Sequence, residues 1–211
     1  MTGATRELPM FPLGSVLFPG MPLQLRVFEP RYVAMVSTVL REAEHEFGVV
    51  LIERGSEVGG GDVRFVVGTV ARIVSVEQTV GSIVLLATGA ERFEVVRWLQ
   101  DDPFPRAQVR ELAAVELDAA TRSELAAAEA VVRATIARAS EFVDLSWPAD
   151  IELSPELAQR LWQVAGIAPL NSLDQYALLR SRTASELLAR LVADTQGADV
   201  LFTAGWGTDL E

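Results

Sequence analysis

Cysteine and lysine are both missing from this chain of 211 residues, and each absence excludes a class of chemistry. Without cysteine there is no disulfide, no thiolate metal site and no cysteine nucleophile. All 18 basic residues are arginine, whereas a Walker A nucleotide loop and a Ser-Lys catalytic dyad each require a lysine. The sequence therefore predicts neither ATP hydrolysis nor Ser-Lys peptidase activity.

Histidine and long apolar runs are scarce as well. The single histidine, His45, lies between Glu44 and Glu46, and adjacent residues on a helix point in different directions. We therefore expect a solvated helix end there and no metal site. The spacing of the carboxylates indicates no catalytic pair, and we expect no cofactor. No signal region or membrane-spanning run is present, so we expect a cytoplasmic protein that does not bind membranes.

The charge is strongly one-sided, with 18 basic against 29 acidic residues and a net charge of −11. Such a field repels nucleic-acid phosphates, so we expect no nucleic-acid partner. Half of the residues are hydrophobic and 22% are charged, a composition typical of a globular protein. The length suffices for one core or for two small subdomains.

The first half of the chain has the patterns of β-strands. Gly81 separates two long β-rich stretches, which predicts a hairpin. Pro30 favours the start of a helix, with Glu29 at its cap position. We expect strands at residues 21–28, 46–53, 63–79, 82–99 and 106–117, the last of them at a sheet edge. The Gly-rich stretch 59–61 is expected to be a loop.

The second half has helical periodicity. Thr121 and Thr183 are each followed three residues later by glutamate, the spacing of a capping box. Ser154 before Pro155 predicts a further helix start, as does Asn171 or Ser172. Strands followed by helices predict an α+β fold, with subdomains at residues 1–118 and 119–196 and a flexible tail at 197–211.

Several motifs, taken in order, resemble the N-terminal, substrate-binding domain of Lon proteases. They are residues 8–13 (LPMFPL), 16–20 (VLFPG), 22–32 (PLQLRVFEPRY), 47–50 (FGVV), 67–71 (VGTVA) and 89–93 (GAERF). The helical half, from residue 161 to 191, is similar to the helical continuation of stand-alone members. The resemblance covers roughly residues 7–195.

This resemblance implies a PUA-like β-barrel followed by a helical bundle. In full-length Lon proteases the region helps to recognise and hold substrate polypeptide, while downstream domains hydrolyse ATP and peptide bonds. It therefore implies a non-enzymatic polypeptide-binding module of a bacterial cytoplasmic protein, here expected to stand alone. The negative charge favours unfolded or apolar-basic segments as partners.

Two segments contain the candidate peptide-binding residues. Residues 10–21 are apolar but broken by proline and glycine, so they can border a groove for extended peptide, or instead line the barrel with a tight turn at residues 19–20. Arg31 and Tyr32 can offer a guanidinium and an aromatic face to a ligand, or instead form an ion pair and pack in the core. The candidates are Phe11, Leu17, Phe18, Met21, Arg31 and Tyr32.

Other functions remain open at this point. One is an assembly or scaffold protein for a single fixed partner, which would be recovered as one stoichiometric protein. A PUA-like nucleic-acid binder would shift nucleic acid in a gel at low salt. An enzyme of unrecognised type would use carboxylates alone or a metal.

The missing lysine leads to a direct expectation about activity. Purified protein should show no ATP turnover and no casein cleavage above the buffer background, because neither catalytic apparatus can form. Either activity, if it persisted through stringent purification, would contradict this expectation.

Overall fold

The computed structural model describes residues 4–54 and 63–203 and confirms the expected α+β fold. Its strands are β1 (Thr5–Leu13), β2 (Pro22–Val27), β3 (Glu46–Arg54), β4 (Val63–Thr79), β5 (Ser82–Trp98) and β6 (Arg106–Glu111). Its helices are α1 (Pro30–Val39), α2 (Ala119–Ala139), α3 (Leu157–Ile167), α4 (Ser172–Leu179) and α5 (Ala184–Thr203). The chain divides into a strand-rich unit, Met1–Ala114, and a helical unit, Val115–Glu211. The division falls a few residues before the expected boundary after residue 118.

The six strands form one sheet in the order β2-β5-β4-β3-β1-β6, and β6 also pairs with β5. The pairings therefore lead from β5 through β4, β3, β1 and β6 back to β5. β1 and β3 are parallel, and the other pairs are antiparallel. The last expected strand is β6, and the expectation that it would lie at a sheet edge was wrong, because it has β1 on one side and β5 on the other.

The interior of the strand-rich unit is an apolar cluster contributed by five of its strands. Phe93, one of its members, is 1% exposed. The cluster comprises Leu8, Met10, Val50, Val70, Phe93, Val95, Ala107 and Val109. The strands therefore bury a common apolar face, as their alternating sequences predict.

The first helix begins where the sequence predicts, but its surroundings differ from the expectation. Glu29 occupies the N-cap position without a cap hydrogen bond from its side chain, and its carboxylate accepts instead from Arg31 Nε at 3.2 Å. The helix ends at Val39. His45, expected at a helix end, lies in the turn before β3 with φ of +50°. The turn precedes Glu46, a buried carboxylate at the start of β3.

The capping residues of the helical unit are partly those expected. Asn171, one of the two expected starts, caps α4 by accepting from the amides of residues 173 and 174. The cap of α2 is Asp118 and not Thr121, because the Asp118 carboxylate accepts from the Thr121 amide at 2.8 Å. At α3 the cap position is Glu156 and not Ser154. The sequence therefore predicts these helices correctly, but it misplaces the cap residues of α2 and α3.

The last helix is longer than expected. Thr183 Oγ1 accepts from the Glu186 amide at 3.2 Å, as the capping-box pattern predicts. The helix then continues to Thr203, so the first residues of the expected flexible tail are helical. The rest of that tail, from residue 204, and the predicted loop at 59–61 lie outside the described residues. None of the described helices is long and apolar enough to cross a membrane.

Candidate functional site

A groove of about 180 Å³ lies in the strand-rich unit, where residues of β1, β2 and the start of α1 meet. It is lined by Phe11, Leu13, Gln24, Leu25, Arg26, Val27, Phe28, Glu29 and Tyr32. Consecutive residues of β2, whose side chains point to both faces of the strand, line the groove. No residue of β5, the strand that pairs with β2, lines it. The groove therefore follows the edge of β2 that faces away from β5.

Two stacked aromatic rings form the apolar wall of the groove. The Phe11 and Tyr32 rings are nearly parallel, at 11°, with centroids 4.1 Å apart. The Phe47 ring lies tilted against Phe11 at 6.2 Å. Phe11 is 8% exposed and Tyr32 is 3% exposed. Because each ring is held by a neighbour, the wall is already formed without a ligand.

Arg31 borders this wall without adding an unpaired charge to it. Its guanidinium carbon lies 4.5 Å from the Tyr32 ring centroid, a cation–π contact. Its Nε donates to Glu29 Oε2 at 3.2 Å. Tyr32 is therefore buried and Arg31 is paired, as the core interpretation expects. Tyr32 nevertheless lines the groove, as the ligand-binding interpretation expects.

Phe28 is an exposed residue of the groove lining, and it was not among the candidate residues. Phe28 is 58% exposed at the point where β2 ends. The alternation of β2 already indicates that Phe28 is exposed, because the apolar side chains at 23, 25 and 27 occupy one face of the strand. Phe28 has the opposite phase, shared with Gln24 and Arg26, and so is directed to solvent.

The other three candidates lie in the core of the unit and do not line the groove. Leu17, Phe18 and Met21 are 5%, 1% and 7% exposed. The carbonyl of Leu17 accepts a hydrogen bond of 2.6 Å from the buried Thr69 hydroxyl of β4. Phe11 and Tyr32 are similarly buried, but they line the groove and these three side chains do not.

The proline-broken segment, which its sequence allows either to border a groove or to line the barrel with a tight turn, is tied to β5. The Met21 amide donates to the Phe18 carbonyl at 3.1 Å, which closes the tight turn at Pro19 and Gly20. Gly20 has φ of +73°, a conformation that glycine adopts at little cost. The Gly20 amide donates to Gly89 at 2.8 Å, and the Gly89 amide donates to Met21 at 2.9 Å. The open edge therefore belongs to β2, which follows this segment.

The charge next to the groove differs in sign from the charge of the whole chain. Of the described residues that line the groove, Glu29 is the sole carboxylate, and it is paired with Arg31. Arg26 is exposed, and its Nε donates to Ser82 Oγ at 3.1 Å. Among the described residues no carboxylate lies within ion-pair distance of Arg26. The groove can therefore offer apolar contact and one cation, but no acid–base pair.

The strand-rich unit thus has an apolar groove along a sheet edge, and the Glu29 carboxylate in its lining is paired. Comparison with known proteins assigns the chain to a family. The family model of the ATP-dependent protease La (LON) substrate-binding domain matches residues 7–193. The chain belongs to this family, which confirms the resemblance read from its motifs.

Curated relatives are longer proteins. Lon protease 2 of Herpetosiphon aurantiacus is 31% identical over 208 residues, which cover 93% of this chain and 24% of that protein. The Lon protease of Anaeromyxobacter dehalogenans is 35% identical over 106 residues, or 48% of this chain and 12% of that protein. The chain thus spans about a quarter or less of the length of these relatives.

Solved structures share the fold over most of the chain. The Lon N-terminal domain protein from Xanthomonas campestris is 28% identical, with a TM-score of 0.65 and coverage of 89% of this chain and 98% of that one. The N-terminal domain of Mycobacterium avium complex Lon protease has a TM-score of 0.63 at 17% identity, over 90% of this chain and 98% of that one, and shows the fold alone.

Proposed function

We propose that the protein binds unfolded polypeptide at the groove beside β2 and does so without hydrolysing ATP or peptide bonds itself. The observation that carries the proposal is the half-exposed Phe28 beside the preformed wall of Phe11 and Tyr32. Membership of a substrate-binding family supports a polypeptide as the ligand. The groove's position on a sheet edge supports an extended chain.

The size of the groove sets the strength of binding. A volume of about 180 Å³ accommodates one large side chain, and burying such a side chain contributes about 1.5 to 3 kcal/mol. Ordering a flexible peptide opposes this gain by several kcal/mol. Binding through this contact alone is therefore weak, at about millimolar strength or weaker, and tighter binding requires further contacts along the peptide. Such recognition depends on apolar character and not on one defined sequence.

The net charge of −11 acts at longer range than the groove. It favours the approach of basic, apolar segments, and salt screens this attraction beyond about 8–10 Å. We therefore expect apolar-basic polypeptides to bind more rapidly than apolar-acidic ones at low salt. The difference should shrink as the salt concentration rises.

Replacing Phe28 by alanine tests the groove while the fold is kept intact. Because the ring is more than half exposed, its removal should cost little stability. Affinity for a labelled, unfolded casein fragment, measured by fluorescence anisotropy, should fall about five- to tenfold as the apolar contact is lost. Circular dichroism should be unchanged.

Phe142→Ala is the matched control, since Phe142 is 55% exposed but belongs to the helical unit. It removes the same side chain at nearly the same exposure and should leave the affinity for casein unchanged. If Phe142→Ala weakens binding and Phe28→Ala does not, the polypeptide site is not the groove beside β2.

A further inference from the structure

Among the described strands, β2 alone has a single strand neighbour along its whole length. Each other strand has neighbours on both sides for all or part of its length. The final part of β4, beyond Arg72, also lacks a partner from β3, but the groove follows β2. The outer edge of β2 therefore combines unpaired backbone groups with an apolar groove.

An unpaired strand edge has a defined binding chemistry. In an antiparallel pair, alternate residues direct their N–H and C=O groups towards the partner, and the residues between them direct theirs outward. An extended backbone satisfies these outward groups by adding as a further strand. Residues 23–27 of β2 pair in unbroken register with β5, so their outward groups are evenly spaced.

The two faces of β2 make different demands on the side chains of an added strand. Leu25 and Val27 lie on the partly buried face, and Gln24 and Arg26 lie on the exposed face. Side chains of an added strand alternate in the same way. One side chain of the first set would enter the groove beside the aromatic wall, and its neighbour from the other set would lie next to Arg26.

We propose that polypeptide adds as an extended strand to the outer edge of β2, with an apolar residue at position i in the groove and an acidic residue at i+1 beside Arg26. This rests on the proposed function and adds the backbone geometry and the sequence pattern of the ligand. Charge complementarity supports the acidic position, because Arg26 has no carboxylate partner among the described residues, and cross-strand pairs of opposite charge are stabilising. The preference for an acidic residue arises from direct contact with Arg26. The preference for basic segments arises from the net charge of the chain, which acts at longer range.

A backbone-methylation scan tests the strand pairing. The probe is a labelled eight-residue peptide of alternating leucine and glutamate, methylated at one backbone amide at a time. Removing an N–H that pairs with β2 should weaken binding about tenfold. The losses should therefore recur at every second position, and hydrogen exchange of residues 23–27 should slow when the unmethylated peptide binds.

The scan separates this inference from the function on which it rests. If every methylated peptide binds as tightly as the parent, side chains alone capture the ligand, and the strand pairing is wrong while the proposed function stands. If no peptide binds and Phe28→Ala leaves casein binding unchanged, the proposed function itself is wrong.

Arg26→Glu tests the acidic position. It should weaken the leucine–glutamate peptide about three- to fivefold and strengthen a leucine–lysine peptide, because the cross-strand charge pair is reversed. Arg122→Glu changes the net charge equally at an exposed site on α2 and should leave the ratio of the two affinities unchanged. If the Arg26 variant does not fold, Arg26→Gln should reduce the same ratio by a smaller factor. Equal effects of Arg26→Glu and Arg122→Glu would overturn the assignment of Arg26.

Discussion

Replacing Gly68 by alanine is expected to destabilise the strand-rich unit by about 3 kcal/mol or more. A Cβ atom at this position would lie 2.2 Å from the carbonyl oxygen of Val49 and 2.6 Å from the Phe93 ring. Neither neighbour can move away readily. The Val49 carbonyl belongs to β3, which pairs with β4 at this point, and Phe93 is 1% exposed in the apolar cluster.

The loss should appear as a lower midpoint of urea denaturation followed by circular dichroism. Gly197→Ala is the matched control, because a Cβ atom there meets nothing within 4 Å and the residue lies in α5. It should raise stability by about 0.5 to 1 kcal/mol, since alanine is the better helix former. A Gly68→Ala protein with the parent midpoint would mean that β3 and β4 can separate at this point without cost.

Replacing Glu129 by alanine is the second substitution with a large expected effect, this time in the helical unit. The Glu129 side chain is 10% exposed and binds two arginines. Arg160, on α3, donates from Nε and Nη2 at 2.7 and 2.8 Å, and Arg133 donates from Nε at 2.8 Å. Arg133 also donates to the carbonyls of Ala149 and Ile151. One carboxylate thus joins α2, α3 and the segment between them.

Alanine at position 129 would leave both guanidinium groups without their counter-charge. The two arginine side chains are 26% and 34% exposed, so water compensates part of the lost attraction, and the cost is about 1.5 to 3 kcal/mol. The measurement is the unfolding midpoint, with hydrogen exchange to assign the loss to residues 119–167. Glu124→Ala, at an exposed position on the same helix, should change the midpoint little. A similar small change for Glu129→Ala would show that the network contributes no stability.

The same network predicts a dependence of stability on pH. Burial raises the pKa of Glu129, but the hydrogen bonds from Arg160 and Arg133 outweigh it, and the pKa lies below its usual value of 4.5. A carboxyl group with a lowered folded pKa stabilises the protein fully above its unfolded pKa and loses this contribution as the pH falls through the folded value. Glu129→Gln should therefore be less stable than the parent at neutral pH, and the difference should shrink below about pH 4.5.

Local patterns predicted the elements whose determinants lie close together in sequence. The hairpin of β4 and β5 turns at Gly81, whose φ is +77°, and the alternation in β2 and the helix start at Pro30 are also as expected. The helix starts at Thr121 and Ser154 were misplaced, because each has another residue nearby that can occupy the cap position. Packing of the helix decides which of them does so, and this depends on residues distant in sequence.

The candidate site was predicted only in part, for the same reason. Phe11 and Tyr32 do line the groove, but their stacking depends on the meeting of β1 and α1. Phe18 and Phe28 both sit in apolar, proline-containing stretches of sequence, yet one is 1% and the other 58% exposed. Phe18 is buried because its turn pairs with Gly89, about 70 residues later in the chain.

The sequence by itself determined the excluded chemistries, since a missing lysine or cysteine is missing in any fold. It also determined the α+β order of elements and the family, because periodicity and motif order are properties of the chain. Only the tertiary structure decided which strand keeps an open edge. The proline-broken segment is tied to Thr69 and Gly89, and β6 is enclosed by β1 and β5, so β2 is left with one neighbour among the described strands. Pairing between distant strands is a long-range outcome, and no local pattern in the chain specifies it.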